Sequence, residues 1–299
     1  LKSNTKAKNY NITTHNGKLI VTAEASEVTV VITGRTGTFP YDGTEKSVKG
    51  YDVSITQGST YTEADFTFSG NDEVKGTEAN TYPMGLKVSD FTNNNTNYSS
   101  VTFVVNDGSL VINPKSIIPD GPDTPDEKKT GIEVTDPEGS IYDGLPHVNP
   151  LTVTDTKTGK ELVAGTDYSV TYSSDLVNAG TVKVTVAGLG NYTGSFTKTY
   201  KIIKRSVTLT SATVSKVYDG SALTNTSITV SGDGFVEGEG ASYEVTGTQT
   251  EVGNSANSFE YKLNEKTLAS NYNITKVVGT LTITAAPAPV TPATPSTPS

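Results

Sequence analysis

Three copies of one tripeptide carry the side chains most suggestive of chemistry: Tyr41-Asp42-Gly43, Tyr142-Asp143-Gly144 and Tyr218-Asp219-Gly220. A carboxylate beside a phenol could hold a metal ion or a sugar hydroxyl. The same residue types also build a tight turn, in which Asp bonds its own backbone two residues on and Gly supplies a positive φ. Use of one unit three times along the chain favours the turn. Other candidates are weaker. Asp120, Asp123 and Asp126 are spaced like ligands of a calcium loop, but the central Gly and the terminal bidentate Glu are not at the required positions. His15 and His147 are far apart and near turns, so both read as surface residues. The runs Gly188-x-Gly190-x-x-x-Gly194 and Gly232-x-Gly234-x-x-x-Gly238 lack the spacing of phosphate loops and read as β-turns. A glycosidase would need two acids held across a cleft; acids are plentiful here, but no pattern defines a cleft.

Two lysines stand out by phase. Lys198 alternates with Phe196, Tyr200 and Ile202, and Lys216 with Val214 and Tyr218. An ammonium aimed at a core is costly unless paired. One outlet is an isopeptide crosslink to Asn assisted by a carboxyl group. The other is an edge-strand lysine whose stem lies on apolar surface while its head reaches water. No catalytic, cofactor-binding or metal-ligating residue is assigned, and no ligand-binding residue can be named.

The elements that would position these side chains are β-strands. Thr, Val, Ile and Tyr alternate with polar residues in short runs at 28–32, 51–55, 168–172, 182–186, 243–245 and 259–263, the pattern of half-buried strands. Asn106-Asp107-Gly108 marks a tight hairpin. Helical signals reduce to Val88–Asn94 and Asn264–Ala269. The expectation is an all-β chain of tandem small β-sandwich modules, immunoglobulin-like, in an elongated array; the alternative is β-grasp-like modules with one short helix each.

Repeats set the boundaries. Each Tyr-Asp-Gly is followed by an Asn-Tyr pair, at 97–98, 191–192 and 271–272, and a fourth pair, Asn9-Tyr10, has no Tyr-Asp-Gly before it. Three pairs run on into Gly-x-Leu-x-[Ile/Val], at 17–21, 108–112 and 279–283. The divisions expected are the C-terminal strands of a preceding module (1–24), module one (25–116), a Pro/Asp linker (117–131), module two (132–204), module three (205–284) and a disordered Pro/Thr/Ser tail (285–299). Modules of this size bury only about 60% of the surface their unfolded chains expose, so each should lean on its neighbours in the array.

Composition narrows the function classes. The chain of 299 residues carries 23 Lys+Arg against 32 Asp+Glu, a formal charge of −9, with no Cys, no Trp and two His. An acidic surface is repelled by nucleic acid and by anionic membranes. No run approaches the ~18 apolar residues of a membrane-spanning helix, so no membrane insertion is expected in this segment. Without Cys there is no disulfide framework or thiol nucleophile.

The stretch "DYSVTYSSDLVNAGTVKVTVAGLGNYTGSFTKTYKI" (167–202) resembles a repeat of large cell-surface proteins in Gram-positive gut bacteria of Firmicutes kind. "KVYDGSALTN" (216–225) followed by "NYNITKVVGTLTI" is similar to the MBG/YDG-type repeats of bacterial adhesins, and module one resembles another copy. The resemblance implies secretion, display at the cell surface or cell wall, and a stalk or cell-adhesion role, with no catalytic residues to carry over. A non-enzymatic repeat stalk without cofactor is therefore the first expectation, as a monomer whose main partners are neighbouring modules. Direct carbohydrate binding by the modules, to host glycoprotein, mucin or polysaccharide, is the second. An accessory region of an extracellular carbohydrate-active enzyme is the third.

Overall fold

A computed structural model describes residues 2–23, 27–57 and 59–288. The chain is all-β and packs as two compact units, Leu1–Lys115 and Ser116–Ser299.

In the first unit, module one is a sandwich of two three-stranded sheets. Its opening strand Val28–Gly34 lies between Tyr51–Ile55, antiparallel, and Val101–Asn106, parallel. Alternation does what the pleat requires: Val28, Val30 and Ile32 are buried, and the residues between them are not. Past Arg35 the chain changes sheet and runs as Thr36–Pro40, parallel to Ser109–Asn113, which also pairs with Asn80–Pro83. The tight hairpin expected at Asn106-Asp107-Gly108 is not formed: Val101–Asn106 and Ser109–Asn113 lie in different sheets and do not pair with each other, so the closing strands simply change sheet at the same level, at Asp107-Gly108. The two crossings touch backbone to backbone, since a Cβ on Gly34 would lie 2.3 Å from the Gly108 nitrogen. Phe66, Phe91 and Phe103, with Tyr51 and Phe68 against them, fill one end of the core by edge and stacked contacts.

Module three, in the second unit, repeats this plan. Arg205–Ser211 pairs with Ile228–Gly232 and, in parallel, with Tyr272–Val277. Val214–Val217 runs parallel to Gly279–Thr284, which pairs with Gly253–Asn257. Module two differs. Its larger sheet runs in the order Ser140–Ile141, Ser195–Ile203, Gly180–Gly188, Tyr168–Tyr172, and its smaller one holds Ile132–Val134, Val153–Asp155 and Lys160–Glu161.

Three further parts of the fold depart from expectation. The helix of the β-grasp alternative is not built: among the described residues the two helical signals become single 3-10 turns, Val88–Asp90 and Ala269–Asn271. The Asp90 carboxylate accepts from the Lys87 backbone N–H at 2.8 Å and closes that turn, leaving too few residues to propagate a helix. Residues 2–23, expected to carry strands, form none; Ala7–Asn9 is a 3-10 turn and Leu19 is 89% exposed. A hairpin without a sheet to join is marginal in water. The expected linker at 117–131 is folded onto the second unit. Ile117 is fully buried and donates its N–H to the Thr193 carbonyl, while the Asp120 carboxylate accepts from the backbone N–H groups of Thr130 and Gly131 at 2.8 and 2.7 Å. Of the expected disordered tail, residues 285–288 are exposed coil; 289–299 lie outside the described residues.

Candidate functional site

The Tyr-Asp-Gly units are turns. Gly43, Gly144 and Gly220 hold φ of 77°, 81° and 79°, a region that costs other residues strain. Asp42 Oδ1 accepts from the Thr44 N–H at 3.0 Å, Asp143 Oδ1 from the Leu145 N–H at 2.9 Å, and Asp219 Oδ1 from the Ser221 N–H at 2.9 Å. A cation then occupies two of these carboxylates. Lys46 Nζ lies 2.6 Å from Asp42 Oδ2, and Lys216 Nζ 2.8 Å from Asp219 Oδ1. The Lys46 ammonium, with the Thr44 hydroxyl and N–H, lowers the Asp42 pKa to about 2. The Lys216 ammonium and the Ser221 donors push Asp219 down further still. In the second turn the His147 ring lies beside the carboxylate, its Nε2 3.0 Å from Asp143 Oδ1 but outside hydrogen-bond geometry. His147 is thus packed into its turn rather than lying on the surface as expected, with a side chain 16% exposed.

The lysines singled out by phase are each paired with a carboxylate. Lys198 reaches Asp136 at 2.6 Å, with side chains 30% and 76% exposed, and Lys216 reaches Asp219 at 2.8 Å within its own turn. Asp120 and Asp126 do not converge: the first binds the Thr130–Gly131 backbone and the second pairs with Lys129. No group of three metal-ligating side chains occurs among the described residues. The glycine runs are turns, with positive φ at Gly190, Gly194, Gly232, Gly234 and Gly238. A groove of about 500 Å³ lined by Ser242, Lys262, Leu263, Asn264, Glu265 and Lys266 is mixed in polarity and carries no aromatic ring, whereas a smaller one of about 270 Å³ that shares Ser242 and Lys262 with it includes Tyr243 and Tyr261.

The most elaborate polar constellation joins modules two and three. Tyr142 and Tyr272 are buried and meet edge to face, with ring centroids 5.6 Å apart at 82°. Both hydroxyls donate to one carboxylate, Tyr142 to Glu239 Oε1 at 2.5 Å and Tyr272 to Glu239 Oε2 at 2.7 Å. Burial, then the adjacent Glu239, raises the pKa of both phenols, so they remain donors across the neutral range. The Val236 N–H donates to the Tyr272 oxygen at 3.1 Å. Arg205, at the crossing between the modules, spreads its guanidinium over the carbonyls of Gly234 and Asp233 at 2.8 and 2.7 Å, with Tyr142 O at 3.4 Å. On the other side Asn271 is fully buried. Its Oδ1 accepts from the Ala179 N–H at 2.9 Å and its Nδ2 donates to Asn178 Oδ1 at 2.8 Å.

An apolar core continues through this junction, with Val182, Val184 and Ile202 from module two and Val207, Leu209 and Phe259 from module three. Chemically the constellation is a clamp. Both oxygens of Glu239 are engaged, which leaves no free acid or base. The sequence displays two halves of this clamp, the Tyr of one Tyr-Asp-Gly and an Asn-Tyr pair, but nothing in their spacing says that one module's turn meets the next module's pair.

No protein-family model matches the chain, and no curated protein matches it. Among solved structures, the N-terminal eight Ig domains of Down Syndrome Cell Adhesion Molecule (DSCAM) isoform 1.30.30 align with 10% identity and a TM-score of 0.16, over 86% of this chain. The aligned region spans 40% of that protein's chain, and a TM-score so low carries no argument about function.

Proposed function

We propose that this chain is a non-enzymatic segment of a secreted, cell-wall-displayed bacterial surface protein, where it serves as part of the repeat stalk of an adhesin. The observation that carries the reading is the junction of modules two and three. Ile203 ends one strand, Arg205 begins the next, and a single residue separates them. The Tyr142–Glu239–Tyr272 and Asn271–Asn178 bonds then fix the two modules to each other. A spacer under load needs such rigidity, and a row of β modules supplies it through main-chain ladders and short connections. The acidic surface suits a segment that must stay extended and avoid its own copies. Repetition of the same turn and closing strands in modules one and three supports the same role.

Surface plasmon resonance of the whole chain against mucin, immunoglobulin and insoluble polysaccharide, across a salt series, tests the proposal. A spacer gives no saturable signal. Saturable binding at micromolar or tighter affinity to any of them would replace the stalk with a receptor.

A further inference from the structure

Residues 9–22 and 271–284 align without a gap: "NYNITTHNGKLIVT" against "NYNITKVVGTLTIT". In module three this segment is a pair of closing strands in two different sheets, running in parallel with Arg205–Ser211 and Val214–Val217 in turn. Its inward positions are Asn271, Tyr272, Gly279, Leu281 and Ile283, all buried, with Ile274 half-buried. The N-terminal copy holds Asn9, Tyr10, Gly17, Leu19, Val21 and Ile12 at those positions, five identical and one Val for Ile. The remaining differences, at 276, 277, 278, 280 and 282, fall where module three is exposed or half-buried. Such a pattern is what a shared packing surface leaves behind, because only inward positions are constrained by neighbours.

The surroundings of the two copies are opposite. Leu281 and Ile283 are 0% and 1% exposed, whereas Leu19 and Val21 are 89% and 81% exposed. A Cβ on Gly279 would lie 2.4 Å from the carbonyl oxygens of Ser211 and Ala212, while one on Gly17 would meet nothing within 4 Å. Residues 9–22 thus carry the apolar face and the close-approach glycine of such closing strands, with nothing among the described residues for either to meet. Modules one and three already have closing strands of their own, 101–113 and 272–284.

We infer that residues 9–22 are the closing strands of a further sandwich, and that their partner is a module body of the 205–270 kind carried ahead of them in the same polypeptide. In that complex Tyr10 takes the place of Tyr272, Leu19 and Val21 enter the core, and Gly17 lets the chain cross from one sheet to the other at backbone contact with the body's opening strand. The inference concerns complementarity of chain segments and does not depend on the stalk reading.

The test is an extended chain in which a second copy of residues 205–270 is joined directly ahead of Asn9, followed by the entire native sequence from that point. Hydrogen exchange is read on residues 10–21. In the native chain these amides should exchange freely; in the extended chain they should slow at least about a hundredfold, and Leu19→Asp should abolish the slowing. A control carrying residues 205–284 ahead of Asn9 reports whether the added body folds there with its own closing strands. If the control is protected and residues 10–21 of the extended chain are not, the inference is overturned. Light scattering on the native chain checks the partner's source: a concentration-dependent dimer removed by Leu19→Asp would place the body in a second copy and would equally overturn it.

Discussion

Tyr142 and Tyr272, 130 residues apart in sequence, share a single carboxylate: each donates its hydroxyl to one oxygen of Glu239, and their rings meet edge to face. Removing the acceptor leaves two buried hydroxyls without that partner, at about 1–3 kcal/mol for each group. Glu239→Ala should therefore lower the stability of the second unit by roughly 2–4 kcal/mol. Tyr142→Phe/Tyr272→Phe in the Glu239→Ala background should recover part of the loss, since no donor is then stranded. Chemical denaturation of the four proteins measures the coupling. Additive losses would mean that the three residues do not act as a unit.

Acid should loosen the Tyr-Asp-Gly turns in a defined window. The Asp42 pKa is lowered to about 2 in the fold, by Lys46 and then Thr44, against about 3.9 in an unfolded chain. A depressed folded pKa means that the unfolded state takes up protons first, so the contribution is complete above pH ~4 and is lost as pH falls through ~2. Asp219 shifts in the same direction. Both groups are solvated, and screening keeps the effect modest. Asp42→Asn should flatten the pH dependence of the first unit's melting temperature between pH 4 and 2 and leave that of the second unit unchanged. An unaltered slope in the variant would count against the Lys46–Asp42 pair as its source.

Much of the fold is legible in the residues themselves, and for physical reasons. Strand positions such as Val28, Val30 and Ile32 announce themselves because alternation is a local property of the pleat. The Asp42 and Asp219 turns are also local, closed within two residues by Asx bonds. Lys198 shares the phase of Phe196 and Tyr200, yet phase alone does not show that Asp136, 62 positions away, stands at the sheet margin. The clamp is hidden for the same reason. Asn271 meets Asn178 across 93 residues, and neither carries a periodic signal. The helical signal at 264–269 misleads because a short polar run with good formers satisfies propensity without enough length to propagate.

Protease should reveal how residues 117–131 are held. Lys128 and Lys129 are exposed in a loop that Asp120 ties down through the Thr130 and Gly131 N–H groups. Partial burial pulls the Asp120 pKa upward, but those hydrogen bonds outweigh it and keep the carboxyl below its usual range, so it is ionised at neutral pH. Asp120→Ala should raise the rate of tryptic cleavage at Lys128-Lys129 severalfold. The Lys204-Arg205 bond should resist in both proteins, because the Arg205 guanidinium is fixed by carbonyls of module three. Rapid cutting at Lys204-Arg205 in the native chain would contradict a stiff junction.

A pair of glycines provides the last test, since the same substitution should have opposite consequences at equivalent positions. Gly279 lies where the closing strands pass over the end of the strand Arg205–Ser211, and its N–H donates to the Ser211 hydroxyl at 2.9 Å. A methyl group there would sit 2.4 Å from two backbone carbonyl oxygens, which cannot swing aside as a side chain could. Either the closing strands lift, breaking the parallel ladder, or the core beneath Leu281 opens; overpacking of this kind costs about 1–3 kcal/mol. Gly17 occupies the matching place in residues 9–22 and has open space around it. Gly279→Ala should therefore lower the melting temperature of the second unit by several degrees, and Gly17→Ala should leave both transitions of the chain where they are. Differential scanning calorimetry of the two single variants decides it. A native-like melt for Gly279→Ala would show that the closing strands do not depend on that close approach, and a shift with Gly17→Ala would show that residues 9–22 already have a partner in this chain.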